Sequence, residues 1–180
     1  DVLRCIRMAK GRFSVDDDRV YLGGISMGGA GTWEMGSRHP ELFAAISPNL
    51  GVFDYHVNTP ASEAAKFSPR ELFFAEAQST LTQVESLLTT PIFVNHGDAD
   101  PVINVNQSRY AVRMLQRWGY DVRYWEHPGG GHGDFNTDPQ VYPWFLRHTR
   151  VNNPVKVRLR AANIKTAAAH WVRILANTEP

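Results

Sequence analysis

A serine set among glycines, an aspartate-bearing turn and a histidine that follows three glycines occur in that order along this chain, and together they could transfer an acyl group. The first is Gly24-Ile25-Ser26-Met27-Gly28, which fits the G-x-S-x-G spacing of a nucleophile elbow. A serine hydroxyl is a weak nucleophile, so it must stand clear of its sheet where a base can reach it. The tight turn that presents it crowds the positions around it, and only very small residues fit there. Gly28, Gly29 and Gly31 fall in the expected first turns of the following helix, where each glycine costs roughly 1 kcal/mol relative to alanine. That loss of helix propensity implies a steric demand. The helix start would also aim unpaired backbone N–H groups at the serine, with the Met27 N–H as an oxyanion donor.

A base and a group to orient it are expected in turns beyond the carboxyl ends of later strands. His96-Gly97-Asp98-Ala99-Asp100-Pro101-Val102 offers two carboxylates. We assign Asp100 to the imidazole, Asp98 to turn backbone, and His96 to packing or local bonding at the strand end. Glu126-His127-Pro128-Gly129-Gly130-Gly131-His132-Gly133 offers two histidines. We assign His132 as the base, because its preceding glycines would give a mobile backbone that brings the ring over Ser26 without Cβ clashes. His39, His56, His148 and His170 read as surface or packing residues. His132 would take the Ser26 proton and return it to the leaving group, while Asp100 fixes the tautomer and stabilises the imidazolium.

The rivals are weaker. A phosphate cradle fails on spacing, since positions 25 and 26 are Ile and Ser and no lysine follows as in G-x-x-x-x-G-K. A binding or scaffold protein that keeps the fold without turnover would be favoured by a His132 placed far from Ser26. No HExxH pair, cysteine cluster or calcium-loop spacing competes, so neither metal nor organic cofactor is implied.

Alternating strands and helices must position these groups. Val2 to Lys10 has helical spacing, with Gly11 as its stop. Val20 to Leu22 is a brief apolar run ending in glycines, as a buried strand does. Met27 to Arg38 reads as a helix closed by His39-Pro40, and Phe43 to Ser47 as a second strand. Gly51 to Leu88 is irregular, broken early by Pro60 and Pro69, with helical stretches from Glu71. Ile92 to Val94 forms a third strand and Asp121 to Glu126 a fourth. Between them Ser108 to Trp118 is helical and capped by Gly119. Val141 to His148 is a last helix. This alternation predicts an α/β fold with a parallel sheet over residues 1–150. Beyond it Val155, Val157 and Leu159 alternate with Lys156, Arg158 and Arg160, and the apolar Trp171, Val172, Ile174 and Leu175 follow. We expect two strands of a small β unit over residues 151–180, their basic side chains on a solvated face.

Composition narrows the field. Of 180 residues, 43% are hydrophobic and 21% charged, and the net charge is +1. That balance lacks the basic footprint of nucleic-acid binding, and no run approaches the roughly 18 apolar residues of a membrane span. Cys5 is the only cysteine, so no intrachain disulfide and no cysteine zinc site is expected.

Four stretches resemble the α/β-hydrolase catalytic domains of prolyl oligopeptidase type, and also feruloyl-esterase and polyhydroxybutyrate-depolymerase-like enzymes. They are Asp18-Arg19-Val20-Tyr21-Leu22-Gly23-Gly24-Ile25-Ser26-Met27-Gly28-Gly29, His39-Pro40-Glu41-Leu42-Phe43-Ala44-Ala45, His96 to Val102, and Gly130-Gly131-His132. The resemblance implies Ser26 as nucleophile, Asp100 as acid and His132 as base. It implies a peptide or ester substrate and admits a secreted or periplasmic setting. In such enzymes several strands and a second oxyanion donor precede the nucleophile strand, whereas here only Asp1 to Arg19 precede the Val20 run. The expectation is therefore the C-terminal half of an α/β-hydrolase sheet, part of a longer hydrolase.

Overall fold

The computed structural model describes residues 2–54, 57, 66–161, 163–164 and 167–176, so His56 and Pro60 lie outside the described residues. Four strands, β1 (Tyr21–Ile25), β2 (Ala45–Asn49), β3 (Ile92–Gly97) and β4 (Val122–His127), form one sheet. They pair in parallel, in chain order. The helices are α1 (Val2–Arg12), α2 (Met27–Arg38), α3 (Pro69–Gln78), α4 (Asn106–Arg117) and α5 (Asp138–Phe145).

The central strands β2 and β3 are buried throughout, as parallel strands covered on both faces are, while β1 and β4 at the sheet edges are only partly buried. Ile92 and Val94 of β3 turn to one face, where they pack with Ile46, Trp33 of α2, and Ala111, Val112 and Leu115 of α4. Phe93 turns to the other face, with Val141, Trp144 and Phe145 of α5. There Phe93 and Trp144 meet edge to face at 5.3 Å. The helical spacing of α4 is thus the spacing of its core contacts, and its end is marked by Gly119 at φ 78°.

Several expectations shift: α1 runs through Gly11 to Arg12, and α5 starts at Asp138 and ends at Phe145, three residues earlier than expected at each end. β2 begins at Ala45, later than Phe43, and runs on through Pro48 to Asn49, pairing Gly24 with Pro48 and Ile25 with Asn49. Beyond residue 150, the alternation from Val155 to Leu159 forms no strand. The observed pair is Ala168–Ala169 with Val172–Arg173, antiparallel. Alternating polarity is only half of a strand, since the ladder also needs a neighbour, and residues 155–159 have none. The tail instead bonds to the segments that lead into the strands. Arg150 donates to the Glu41 carbonyl at 2.9 Å and to Asp18 at 3.0 Å, and Ser86 donates to the Arg160 carbonyl at 3.2 Å. These contacts lie at the amino ends of the strands, which leaves the carboxyl ends to the candidate site. Among the described residues no helix is long and apolar enough to cross a membrane.

Candidate active site

Ser26 sits between the end of β1 and the start of α2, with φ 59° and ψ −118°. A non-glycine residue there is strained by about 1–3 kcal/mol and persists only where its surroundings hold it. Two backbone bonds do so. The Ser26 N–H donates to the Asn49 carbonyl, and the Ala30 N–H donates to the Ser26 carbonyl, each at 3.0 Å. The glycines divide into two groups. A Cβ on Gly24 would strike the Gly28 backbone, and one on Gly29 would strike the Asn49 carbonyl, whereas Cβ atoms on Gly28 and Gly31 would meet nothing within 4 Å. The expected steric demand is therefore met at Gly24 and Gly29 and absent, among the described residues, at Gly28 and Gly31. Met27 opens α2, so its N–H has no acceptor within the helix and lies beside the serine.

The structure brings the three predicted side chains together. His132 Nε2 lies 2.8 Å from Ser26 Oγ, and His132 Nδ1 lies 2.8 Å from Asp100 Oδ2. The carboxylate only accepts, so Nδ1 carries the hydrogen and Nε2 is left bare to accept from the serine hydroxyl. A distant His132, which would have favoured the binding or scaffold reading, is not what is seen. The Asp100 side chain is fully buried and that of His132 is 21% exposed. Burial works to raise the Asp100 carboxyl, but hydrogen bonds from His132 and from the Ile103 and Val102 amides outweigh it and hold it below the ordinary carboxylate value. Those two amides reach Asp100 Oδ1 at 2.9 and 2.8 Å.

Asp98 bonds backbone as expected, but that of the facing loop, while the amides of its own turn go to Asp100. Asp98 Oδ1 accepts from the Gly129 N–H at 2.6 Å. His127 is stacked on Phe135 at 3.6 Å, at the foot of the His132 loop. The loop itself differs from expectation in part. Gly129, at φ 69° with nothing within 4 Å of a Cβ, has the conformational freedom expected, whereas a Cβ on Gly130 would crowd His127 and Phe135 and one on Gly131 would meet the Asp134 carboxylate. Asp134 also accepts from the Gly131 N–H at 2.9 Å. The run thus supplies freedom at Gly129 and close approach at Gly130.

Sequence reasoning missed Asn49, whose carbonyl holds the serine turn. Its side chain is itself locked, accepting from Asn95 Nδ2 at 2.7 Å and Ser47 Oγ at 3.1 Å. The available signal was an asparagine in each of two buried strands, at the end of β2 and within β3, where a polar group must find partners.

A parallel sheet with a strand-turn-helix serine and loops from β3 and β4 converging on it is the α/β-hydrolase arrangement. The profile of the prolyl oligopeptidase family matches residues 1–149, and the chain belongs to that family. It is 32% identical over 115 residues to acyl-protein thioesterase 1 of Neurospora crassa, an alignment covering 64% of this chain and 40% of that protein. A thermostable esterase of known structure superposes with TM-score 0.59 at 29% identity, covering 83% of this chain and 36% of that one. A truncated carbohydrate esterase from gut microbiota gives TM-score 0.68 at 20% identity over 81% of this chain and 65% of that one, a likeness of fold. The chain thus spans less than half of the curated thioesterase and of the thermostable esterase.

Proposed function

We propose that this chain carries the acyl-transfer centre of a serine hydrolase that cleaves peptide or ester bonds. Ser26 is the nucleophile, His132 the general base and acid, Asp100 the orienting carboxylate, and the Met27 N–H an oxyanion donor. The observation that carries the reading is the His132 ring spanning Ser26 Oγ and Asp100 Oδ2 at 2.8 Å on each side.

Ser26 Oγ attacks the substrate carbonyl carbon as its proton passes to His132 Nε2, and the carbonyl oxygen becomes an oxyanion. The Met27 N–H donates to that oxyanion, a contact worth on the order of 3 kcal/mol in the transition state. The imidazolium, held against the Asp100 carboxylate, returns its proton to the leaving amine or alkoxide as the acyl bond breaks. Water then repeats the sequence on the acyl-serine, with His132 taking its proton and giving it to Ser26 Oγ.

Family membership favours a peptide substrate, whereas the thioesterase and esterase relatives favour an ester. We infer a peptidase of prolyl oligopeptidase type. Paired assays of the whole protein on aminoacyl amides and on acetyl and feruloyl esters separate the two. Amide cleavage abolished in Ser26→Ala supports the peptidase, and cleavage of esters alone transfers the proposal to an esterase. Unchanged turnover by Ser26→Ala rejects both.

A further inference from the structure

His96, near the end of β3, lies directly behind the Asp100 carboxylate, and both side chains are fully buried. Both of its ring nitrogens are committed. Nδ1 is 2.7 Å from Ser108 Oγ on α4, and Nε2 is 2.9 Å from the Ile103 carbonyl and 3.3 Å from Asp100 Oδ2. A carbonyl only accepts, so Nε2 carries a hydrogen. Burial lowers the pKa of His96 against the opposing pull of Ile103 and Asp100. The ring is therefore neutral, Nδ1 is bare, and the Ser108 hydroxyl donates to it. The Ile103 carbonyl thus selects the tautomer that points an N–H at the Asp100 turn, and the Ser108 hydroxyl, which can donate or accept, anchors the ring at Nδ1.

That turn is closed from two sides. Its Ile103 amide donates to Asp100 Oδ1, while its Ile103 carbonyl accepts from His96. The oxygen flanked by His96 Nε2 is Oδ2, the same atom that accepts from His132. A hydrocarbon of similar size at position 96 would fill the space but would leave a buried carbonyl unpaired beside a buried carboxylate. A neutral donor also flanks that carboxylate without adding a positive charge to compete with the His132 imidazolium.

We propose that His96, anchored at Nδ1 by Ser108, is a positioning residue whose Nε2–H fixes the Asp100 turn so that Oδ2 faces His132. The proposal rests on the reading of Asp100 as the orienting carboxylate. Its consequence falls on turnover, since a misplacement of about 1 Å in such a group costs about 100-fold in rate. Substrate binding does not pass through Asp100, so KM is spared.

The test compares His96→Gln, whose side-chain amide can extend an N–H toward the place of Nε2, with His96→Asn, whose shorter amide cannot reach the Ile103 carbonyl. Ser108→Ala, which loses only the anchor at Nδ1, is the third variant, and all are made in the whole protein and assayed on the substrate that the wild type cleaves. Expected are a kcat loss of about 10-fold to 100-fold in His96→Asn with KM within about 2-fold. His96→Gln should recover most of that loss, and Ser108→Ala should fall between. The downfield NMR signal of the His132–Asp100 proton should weaken in the same order. Equal kcat in the Gln and Asn variants, or losses that follow thermal stability alone, would overturn the proposal. If His96→Asn does not fold, the Ser108→Ala and His96→Gln results decide, and wild-type kcat and NMR signal in Ser108→Ala count against it. Asp100→Asn separates the two levels. If it retains full activity, the assignment of Asp100 fails, whereas if it is inactive while His96→Asn is unaffected, only the positioning role fails.

Discussion

Gly97 and Gly130 meet backbone to backbone: a Cβ on Gly97 would strike the Gly130 carbonyl. Around that contact the Asp98 N–H donates to the His127 carbonyl at 3.1 Å and the Ala99 N–H to the Gly130 carbonyl at 3.0 Å. Asp98 Oδ1 completes the tie by accepting from Gly129. The loop that carries Asp100 and the loop that carries His132 are therefore one packed unit. Their relative position does not depend on the single bond between the two side chains.

Gly97→Ala should separate those loops. The added methyl meets backbone that cannot swing away, so a destabilisation of about 1–3 kcal/mol is expected from overpacking. With His132 displaced from Asp100 by about 1 Å, kcat should fall about 100-fold. Urea unfolding and steady-state kinetics on one preparation check both effects, and a variant of unchanged stability and rate would show that the contact is not needed.

The glycines of the serine turn should respond with opposite signs. Gly24→Ala forces its methyl into the Gly28 backbone and should be strongly destabilising. Gly28→Ala and Gly31→Ala add a methyl to open space within α2, and each should stabilise the 180-residue chain by up to about 1 kcal/mol through helix propensity. Chemical denaturation of the three variants is the measurement.

Acid should expose a second network beside the site. Glu126 of β4 accepts from Arg109 Nε at 2.9 Å and Nη2 at 2.6 Å, and from the Tyr124 hydroxyl at 2.6 Å. The Arg109 bonds, aided by Tyr124 and opposed by burial, bring the Glu126 carboxyl from 4.5 down to about 2. A folded value below the unfolded one contributes stability above about pH 4.5 that is lost as pH falls towards 2. With Arg109 38% exposed, solvent screening limits the contribution to on the order of 1 kcal/mol. The stability difference between wild type and Glu126→Gln should thus be constant above pH 5 and shrink below it. A difference that grows on acidification would contradict this linkage.

The four strands and the three site side chains were legible because each depends on local pattern. Buried parallel strands announce themselves as short apolar runs, and a serine turn between strand and helix has a spacing of its own. Asp100 could be separated from Asp98 on turn chemistry, and His132 from His127 on its glycine neighbours. What escaped depends on chain segments far apart in sequence. The Asn49 carbonyl under Ser26, the Ser108 hydroxyl on His96 and the Gly97–Gly130 contact each join two different elements of the fold. Glycine was the most ambiguous letter, because a residue chosen for freedom and one chosen for close approach look identical until the neighbours are known. The alternation from Val155 to Leu159 misled for a related reason, since it describes a side-chain pattern and not the partner that a strand requires.

The claim that Ser26 is an activated nucleophile is tested most directly by covalent capture. The whole protein is treated with a fluorophosphonate, digested, and the adduct located by mass spectrometry. A single adduct on Ser26 is predicted, absent from Ser26→Ala and formed at least about 100-fold more slowly in His132→Ala. An adduct on another serine, or equal labelling of Ser26 with His132 removed, would contradict the account.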